Sequence, residues 1–439
     1  MNGAWKEMKN VECRMQNETR PDSETGNVKG LYVHIPFCDG KCFYCAFYSL
    51  PYKNGLAQRY LRALAIEFKK YPPLIPETIF FGGGTPSLLS IPELEILCNL
   101  IKKNISTDAL KEWTVECNPR SLTAEKLALF KKAGVNRISL GAQSFDDSAL
   151  KWLGRRHNAA DIYEAARMIK SAGFDNFGID LIACIPGFKS NDWRKTLDSA
   201  IALKPKHISV YALTREEGSQ LAQAVEEKHD MPLAAENCSR PRPTPSVSRR
   251  TAKAGLRPVF SGVNDPGYNS ASHHQINLLT EDEEIETLDI ACDLLAKANY
   301  HRYEISNYSQ PGFECLHNLS CWRGEEYIGL GPAAASHVGL KRWANLPDLE
   351  KYLDAIENGK EPPCTMDVLT EDLKKTERIV FGLRMSEGIS EATGKICEKT
   401  LVVLDEQGLV LNADGRWRLT ERGFHLADYV GRELLAGTS

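Results

Sequence analysis

Three cysteines, Cys38, Cys42 and Cys45 in the stretch HIPFCDGKCFYCAFYS (34–49), are the residues of this chain best spaced for chemistry. They lie among aromatics, and no fourth cysteine completes the set; Phe47 stands two places beyond the third. A structural zinc site takes four protein ligands, and a closed ferredoxin-type cluster takes four cysteines. A redox dithiol needs two. Three thiolates fit a four-iron cluster in which one iron has no protein ligand. That iron is free to chelate a small molecule carrying both an amine and a carboxylate, as the methionine moiety of S-adenosylmethionine (SAM) does. A second tight group is Cys315 and Cys321, which flank His317 in ECLHNLSCW. His317 and Cys321 are four apart, so on a helix they share a face; taken in isolation, His317 reads as a hydrogen-bonded loop histidine. The other cysteines, such as Cys98, Cys117, Cys184, Cys292 and Cys397, are scattered and read as buried inert thiols.

Such groups need a frame. Six β-rich runs, 30–37, 78–83, 113–119, 137–144, 176–183 and 207–214, alternate with amphipathic segments such as LAQRYLRALAIEFKKY and DIYEAARMIKSAG. That order predicts a parallel sheet of the α/β class. Six consecutive units, with no GxGxxG after the first strand, predict a partial (β/α)6 barrel rather than a Rossmann sheet. In parallel barrels functional residues gather at the C-terminal strand ends. Here those ends carry Cys38, Gly82–Gly84 with Thr85, Glu116, Gln143, Asp180 and Tyr211. The expected division is a mobile extension (1–29), the barrel (30–215), an irregular insertion or linker rich in Pro, Ser and Arg (216–285), a region completing the core (286–365) and a C-terminal α+β domain (366–439). Within this final domain a pair of helices and a strand pair suggest a winged-helix-like shape, and its mixed charges suggest docking rather than DNA binding.

The totals fit this frame. The chain has 439 residues, 42% hydrophobic and 26% charged, with formal net charge −4, which predicts a multidomain globular protein without a nucleic acid partner. No apolar run approaches the roughly 20 residues of a membrane span, and the first residues lack a signal peptide's apolar core. Cytoplasmic localisation is the resulting expectation, and thirteen cysteines in that setting argue against a disulfide framework.

CxxxCxxC with Tyr44 before the last cysteine resembles the signature of the radical SAM superfamily, whose fold is the partial barrel. LYVHIPFCDGKCFYCAF, FFGGGTPSLLS, VECNPRSL, NRISLGAQSFDDSALKWLGR, FGIDLIACIPG, YEISNYSQPGFECLHNLSCW and YIGLGPAAAS resemble the anaerobic coproporphyrinogen-III oxidase-like family, in particular its HemW subgroup. The resemblance implies a [4Fe-4S] cluster on Cys38, Cys42 and Cys45. It implies SAM beside Tyr32 and Tyr44, along Gly83, Gly84 and Thr85 with their backbone N–H groups near its carboxylate, and against Glu116. When bound, such a low-potential cluster would supply one electron to the sulfonium of SAM. Gln143, Arg155 and Asp180 match positions that bind a second SAM in the coproporphyrinogen enzymes. Two sister groups share this barrel. One decarboxylates coproporphyrinogen III oxidatively without oxygen and usually has a further cysteine where Phe47 stands here. The other binds heme and carries His-Asn-x-x-Tyr-Trp; here His317, Asn318 and Trp322 match, with Cys321 in place of the tyrosine, so the resemblance implies His317 or Cys321 as heme ligand, an imidazole and a thiolate both being axial ligands of heme iron and only one of the two able to reach the same iron. The expectation is a HemW-type heme chaperone. Its implied partners are heme, an unidentified heme-acceptor protein and a flavodoxin- or ferredoxin-type electron donor. The alternatives are a coproporphyrinogen III dehydrogenase and a radical SAM enzyme for another substrate.

Overall fold

A computed structural model describes residues 27–226 and 278–436. The predicted strands form as β1 (Gly30–Ile35), β2 (Thr78–Gly83), β3 (Glu112–Cys117), β4 (Arg137–Gln143), β5 (Phe177–Ala183) and β6 (His207–Ala212). They pair in parallel and in chain order. The chain later returns to add Tyr327–Leu330, also parallel, on the free side of β1. Short antiparallel strands extend both edges, to twelve strands in all. Within the described residues β1 and β6 do not pair, so the sheet is a curved, open barrel rather than a closed one.

The strands alternate along most of their length, Phe80 and Ile182 being apolar exceptions, which is unusual for parallel strands covered on both faces; those tend to read as continuous apolar runs. Leu31, Val33, Ile79, Phe81, Val115, Ile138, Leu140, Ile179, Leu181 and Ile208 are buried in the main core. The intervening positions carry Tyr32, His34, Thr114, Glu116, Ser139, Asp180 and Ser209. The lumen is therefore a polar chamber, and the pattern of period two encodes it directly. The covering helices show the complementary period. Helix Ala159–Ser171 buries Ile162, Ala165, Ala166 and Ile169, one face of a 3.6-residue repeat. It starts at a capping box of Asn158 and Asp161. Gly173, at φ 75°, follows its end.

The C-terminal region has its own core of Ile379, Leu383, Leu401, Trp417, Leu419 and Val430. Helices Glu371–Leu383, Glu398–Glu406 and Ala427–Ala436 pack around a three-stranded sheet. The expected strand pair, Val410–Ala413 with Arg416–Leu419, gains Ile389–Ser390 as a third strand. Residues 220–226 and 281–285, expected to be irregular, are helical. The rest of the insertion, and most of the extension, lie outside the described residues.

Candidate functional site

The cysteines sit on a loop that leaves the C-terminal end of β1. Phe37–Cys38 and Leu50–Pro51 pair in parallel and draw its two ends together. Between them Phe43 is pinned: its N–H donates to the Leu153 carbonyl (3.2 Å) and its carbonyl accepts from Leu221 (2.8 Å). Gly154, at φ 74°, must lack a side chain, because a Cβ there would lie 3.1 Å from the Phe43 ring. Cys38, Cys42 and Cys45 are all free and half-buried. Burial pushes the Cys45 thiol up to about 11, and the neighbouring thiols add to that. Arg155 Nη1 donates to Cys42 Sγ (3.5 Å), and Nη2 to the Gly141 carbonyl (2.8 Å). Arg155 also hydrogen-bonds the Tyr44 side chain. The Thr85 hydroxyl lies 3.5 Å from Cys38 Sγ. The adjacent Arg156 points outward to Asp39 (2.9 Å). The two arginines look alike in sequence and differ completely in setting.

Inside the lumen two carboxylates face each other across the strands. Burial pushes Glu116 up to about 8; Asp180 raises it further, and a hydrogen bond from the Gly83 N–H opposes them. Burial raises Asp180 as well. Hydroxyl donation from Ser209 (2.7 Å) and Ser139 (3.0 Å) and the guanidinium groups of Arg137 and Arg155 hold it down. Tyr32 donates to or accepts from His34 Nδ1 (3.0 Å). Burial lowers His34 to about 4, so its ring is neutral. Gln143 sits at a β-bulge with φ 72°, a left-handed conformation that costs a non-glycine residue free energy.

The glycine turn departs from expectation. Its N–H groups are already used: Gly84 donates to the Ile35 carbonyl (2.8 Å) and Thr85 to the Phe37 carbonyl (2.7 Å). The Gly83 N–H goes to Glu116. The missing side chains serve packing. A Cβ on Gly83 would come within 2.5 Å of the His34 ring, and one on Gly84 within 2.5 Å of the Phe37 carbonyl. These glycines fasten the cysteine loop to β2, and the N–H groups of Gly84 and Thr85 are not free for a ligand carboxylate.

His317 lies at the opposite end. It begins the first turn of helix Leu316–Trp322 and meets the first residue of each of three strands. Its Nδ1 is 2.9 Å from Thr78 Oγ1 on β2. Its ring would be 3.2 Å from a Cβ on Gly30 of β1. Its backbone N–H donates to Glu112 Oε1 of β3 (3.1 Å), as Leu316 N–H does to Oε2 (3.0 Å). The imidazole stacks on Phe80 at 5.1 Å, and burial lowers it to about 4. Cys321, one turn on, is half-buried, and burial pushes its thiol up to about 12. With six residues in β1, roughly 20 Å separates this floor from the cysteine loop.

The model of the radical SAM superfamily matches residues 32–200. "Heme chaperone HemW" of Lactococcus lactis is 30% identical over 413 residues, spanning 92% of this chain and 96% of its own. That of Bacillus subtilis is 31% identical, spanning 92% and 98%. The chain belongs to the HemW family of radical SAM proteins. Among solved structures, coproporphyrinogen III oxidase of Escherichia coli matches with TM-score 0.73 at 19% identity, over 94% of this chain and 91% of that one; that likeness shows the fold.

Membership of the HemW family and its superfamily implies SAM and a [4Fe-4S] cluster, and the residues present fit both. Three free thiols share one loop, with a guanidinium and a hydroxyl aimed at two of the sulfurs, as an anionic cluster requires. Two lumen carboxylates complement a ligand that carries a sulfonium and an ammonium. Among the described residues no three His, Cys, Asp or Glu side chains converge tightly enough to chelate a single ion; a cube instead takes its three thiolates on three separate irons. Sequence reasoning missed Thr78, Glu112, Ser139 and Ser209. Glu112, Ser139 and Ser209 lie two residues from a polar neighbour, so the alternation of the strands could have found them as lumen positions; Thr78, followed two places on by Phe80, carries no such signal. Among the described residues no helix is long and apolar enough to cross a membrane.

Proposed function

We propose that this chain is a heme chaperone that holds heme through His317 and passes it to an acceptor protein. In this reading Cys38, Cys42 and Cys45 hold the cluster, and Tyr32, Tyr44, Thr85, Glu116 and Asp180 surround SAM. Gly83 and Gly84 shape that site from behind. Gln143 lies at the lumen rim, and Arg155 serves the cluster loop rather than a second SAM. The reading draws first on near-full-length likeness to proteins named heme chaperones.

The observation that carries the heme site is the bond between Thr78 Oγ1 and His317 Nδ1. The hydrogen bond on one ring nitrogen decides which nitrogen binds a metal. Here Nδ1 is engaged, and Nε2 is left as the ligand. The ring is also neutral at physiological pH, the form that ligates. On the strength of that bond we take His317 rather than Cys321 as the ligand. Because His317 is only 6% exposed, binding requires its helix to part from Phe80.

Anaerobic heme titration followed at the Soret band tests this. His317→Ala is expected to weaken binding by at least about tenfold, or 1.4 kcal/mol, and Cys321→Ala to leave it near wild type. Equal binding by wild type and His317→Ala would remove the carrying observation. Conversion of coproporphyrinogen III to protoporphyrinogen by the reconstituted protein would favour the dehydrogenase instead. Phe47, at the position of that group's extra cysteine, is 70% exposed.

A further inference from the structure

Where the end of helix Leu316–Trp322 meets the C-terminal region, a cleft of about 280 Å³ opens to solvent. Its lining includes Trp322, Met385 and Ile389, together with Arg323, Arg378 and Arg416. Three guanidinium groups share this cleft with the apolar side chains, and among the described residues only Arg323 has a carboxylate partner. Arg323 reaches Glu387 at 3.2 and 3.5 Å, both side chains being about half exposed. Such a surface pair is weak. Arg416 donates to two backbone carbonyls, those of Glu387 (2.7 Å) and Gly388 (2.8 Å), which carry no charge. Arg378 is exposed on helix Glu371–Leu383, and among the described residues it has no ion pair. Glu387 is the carboxylate that pairs across this rim, so the cleft keeps a positive balance.

The apolar side is built as firmly. Trp322 sits edge-on to Phe381 (6.0 Å), and Arg384 lies over its ring at 5.1 Å. Arg384 is itself tied to Asp428 (2.7 Å). Met385 packs with Leu319, Cys315 and Tyr303, and Phe80 and Trp322 flank that cluster. Phe80 is the ring on which His317 stacks, so one continuous apolar contact joins the cleft to the histidine.

We propose that this cleft grips the carboxylate edge of a planar tetrapyrrole, its carboxylates taken by Arg378 and Arg323 and its ring edge lying against Trp322. Guanidinium forks match carboxylates in a bidentate way that lysine does not. The cleft is too small to enclose a porphyrin, so it holds the bound molecule by one edge only. The scale agrees with His317. Five residues of helix from His317 to Trp322 rise about 7.5 Å, of the order of the distance from a porphyrin's centre to its carboxylates. The identity of the ligand rests on the heme reading above; the composition of the cleft does not.

Three probes separate the contributions: heme, metal-free protoporphyrin and its dimethyl ester, each titrated against the full chain under the same conditions. The Arg323→Gln/Arg378→Gln double variant is expected to bind heme and protoporphyrin at least about tenfold more weakly and the ester as well as wild type does. Its melting temperature should be unchanged, and Arg378→Lys should recover only some of the loss. Equal binding of both free acids by wild type and double variant overturns the cleft, as does an equal loss of the ester. His317→Ala should weaken heme alone. If it weakens nothing while the double variant still loses protoporphyrin, the cleft stands and the histidine reading falls. If wild type binds none of the three probes, both fall.

Discussion

The two ends of the barrel are built from the same alternating strands and are finished in opposite ways. At the mouth, thiols stand free on a loop, two carboxylates are held above their ordinary range by burial, Glu116 by Asp180 as well, and Gln143 sits in a left-handed conformation. At the floor, polar groups find partners within the chain. Glu112 accepts from Cys315 Sγ, Leu316 N–H and His317 N–H. Arg137 reaches Asn176 and the Phe313 carbonyl, and His207 meets Tyr303 at 2.8 Å. A polar lumen can thus serve either purpose. Where the chain supplies its own donors, as the His317 helix does to Glu112, the polar residues anchor a backbone segment, here the one that carries the proposed heme ligand. At the mouth the donors, Gly83 N–H to Glu116 and two serine hydroxyls to Asp180, only partly offset burial, and both carboxylates stay above their ordinary range, as groups at functional sites do.

The largest effect should come from the mouth. Replacing any one of Cys38, Cys42 and Cys45 with alanine leaves two protein ligands for a cube that already has one open iron. Iron and inorganic sulfide in anaerobically reconstituted protein should fall to near zero. The floor is roughly 20 Å away and, among the described residues, shares no hydrogen bond with the cysteine loop, so thermal unfolding of the unreconstituted variants should match wild type. Iron retained at wild-type stoichiometry in all three would break the assignment of the mouth.

The converse change acts on the floor. Glu112→Gln leaves a single neutral acceptor oxygen for three buried donors. With bonds to a charged partner worth about 1.5–3 kcal/mol each, the full chain should lose on the order of 3 kcal/mol in denaturant unfolding. Cluster iron per folded molecule should stay at the wild-type level. A loss of iron in step with stability would mean that the two ends are one cooperative unit rather than two independent devices.

How much of this could be read from the chain alone follows the range of the interactions. The strands begin within one residue of their predicted starts, because alternation and helix caps are local signals. The cysteine triad was legible for the same reason: its chemistry is in its spacing. Arg155 was not. Its setting depends on Cys42, 113 positions away, and beside Arg156 it looks like half of a solvated pair. Nor could the sequence tell that Gly83 and Gly84 avoid a ring and a carbonyl, since a turn made for packing and one made for a ligand need the same residue. The end of the barrel at which His317 docks was also hidden. It is decided by Glu112, some 205 positions earlier, whose place at the start of a strand reads as an ordinary edge.

The smallest effect sharpens the comparison at the mouth, through the one carboxylate there with a defined titration. Glu116 is raised to about 8, so near pH 6 it is almost fully protonated before a ligand arrives. A cation that pairs with it must first displace that proton. Affinity for SAM through this group therefore rises with pH, at most about tenfold per unit, and levels off above pH 8. The ligand's own amine also sheds a proton in this range (α-amino groups titrate at about 7.7–8.0), so wild-type binding alone does not isolate the carboxylate. The ratio of wild-type to Glu116→Gln affinity does. It should lie near one at pH 6, climb to about tenfold or more by pH 8, and then stay flat, because only the wild type gains a charge. Equilibrium SAM binding to reconstituted protein between pH 6 and 9 reads that ratio. A ratio that is constant across the range would mean that Glu116 meets no positive charge of the ligand, and the electrostatic contrast between mouth and floor would then rest on Asp180 alone.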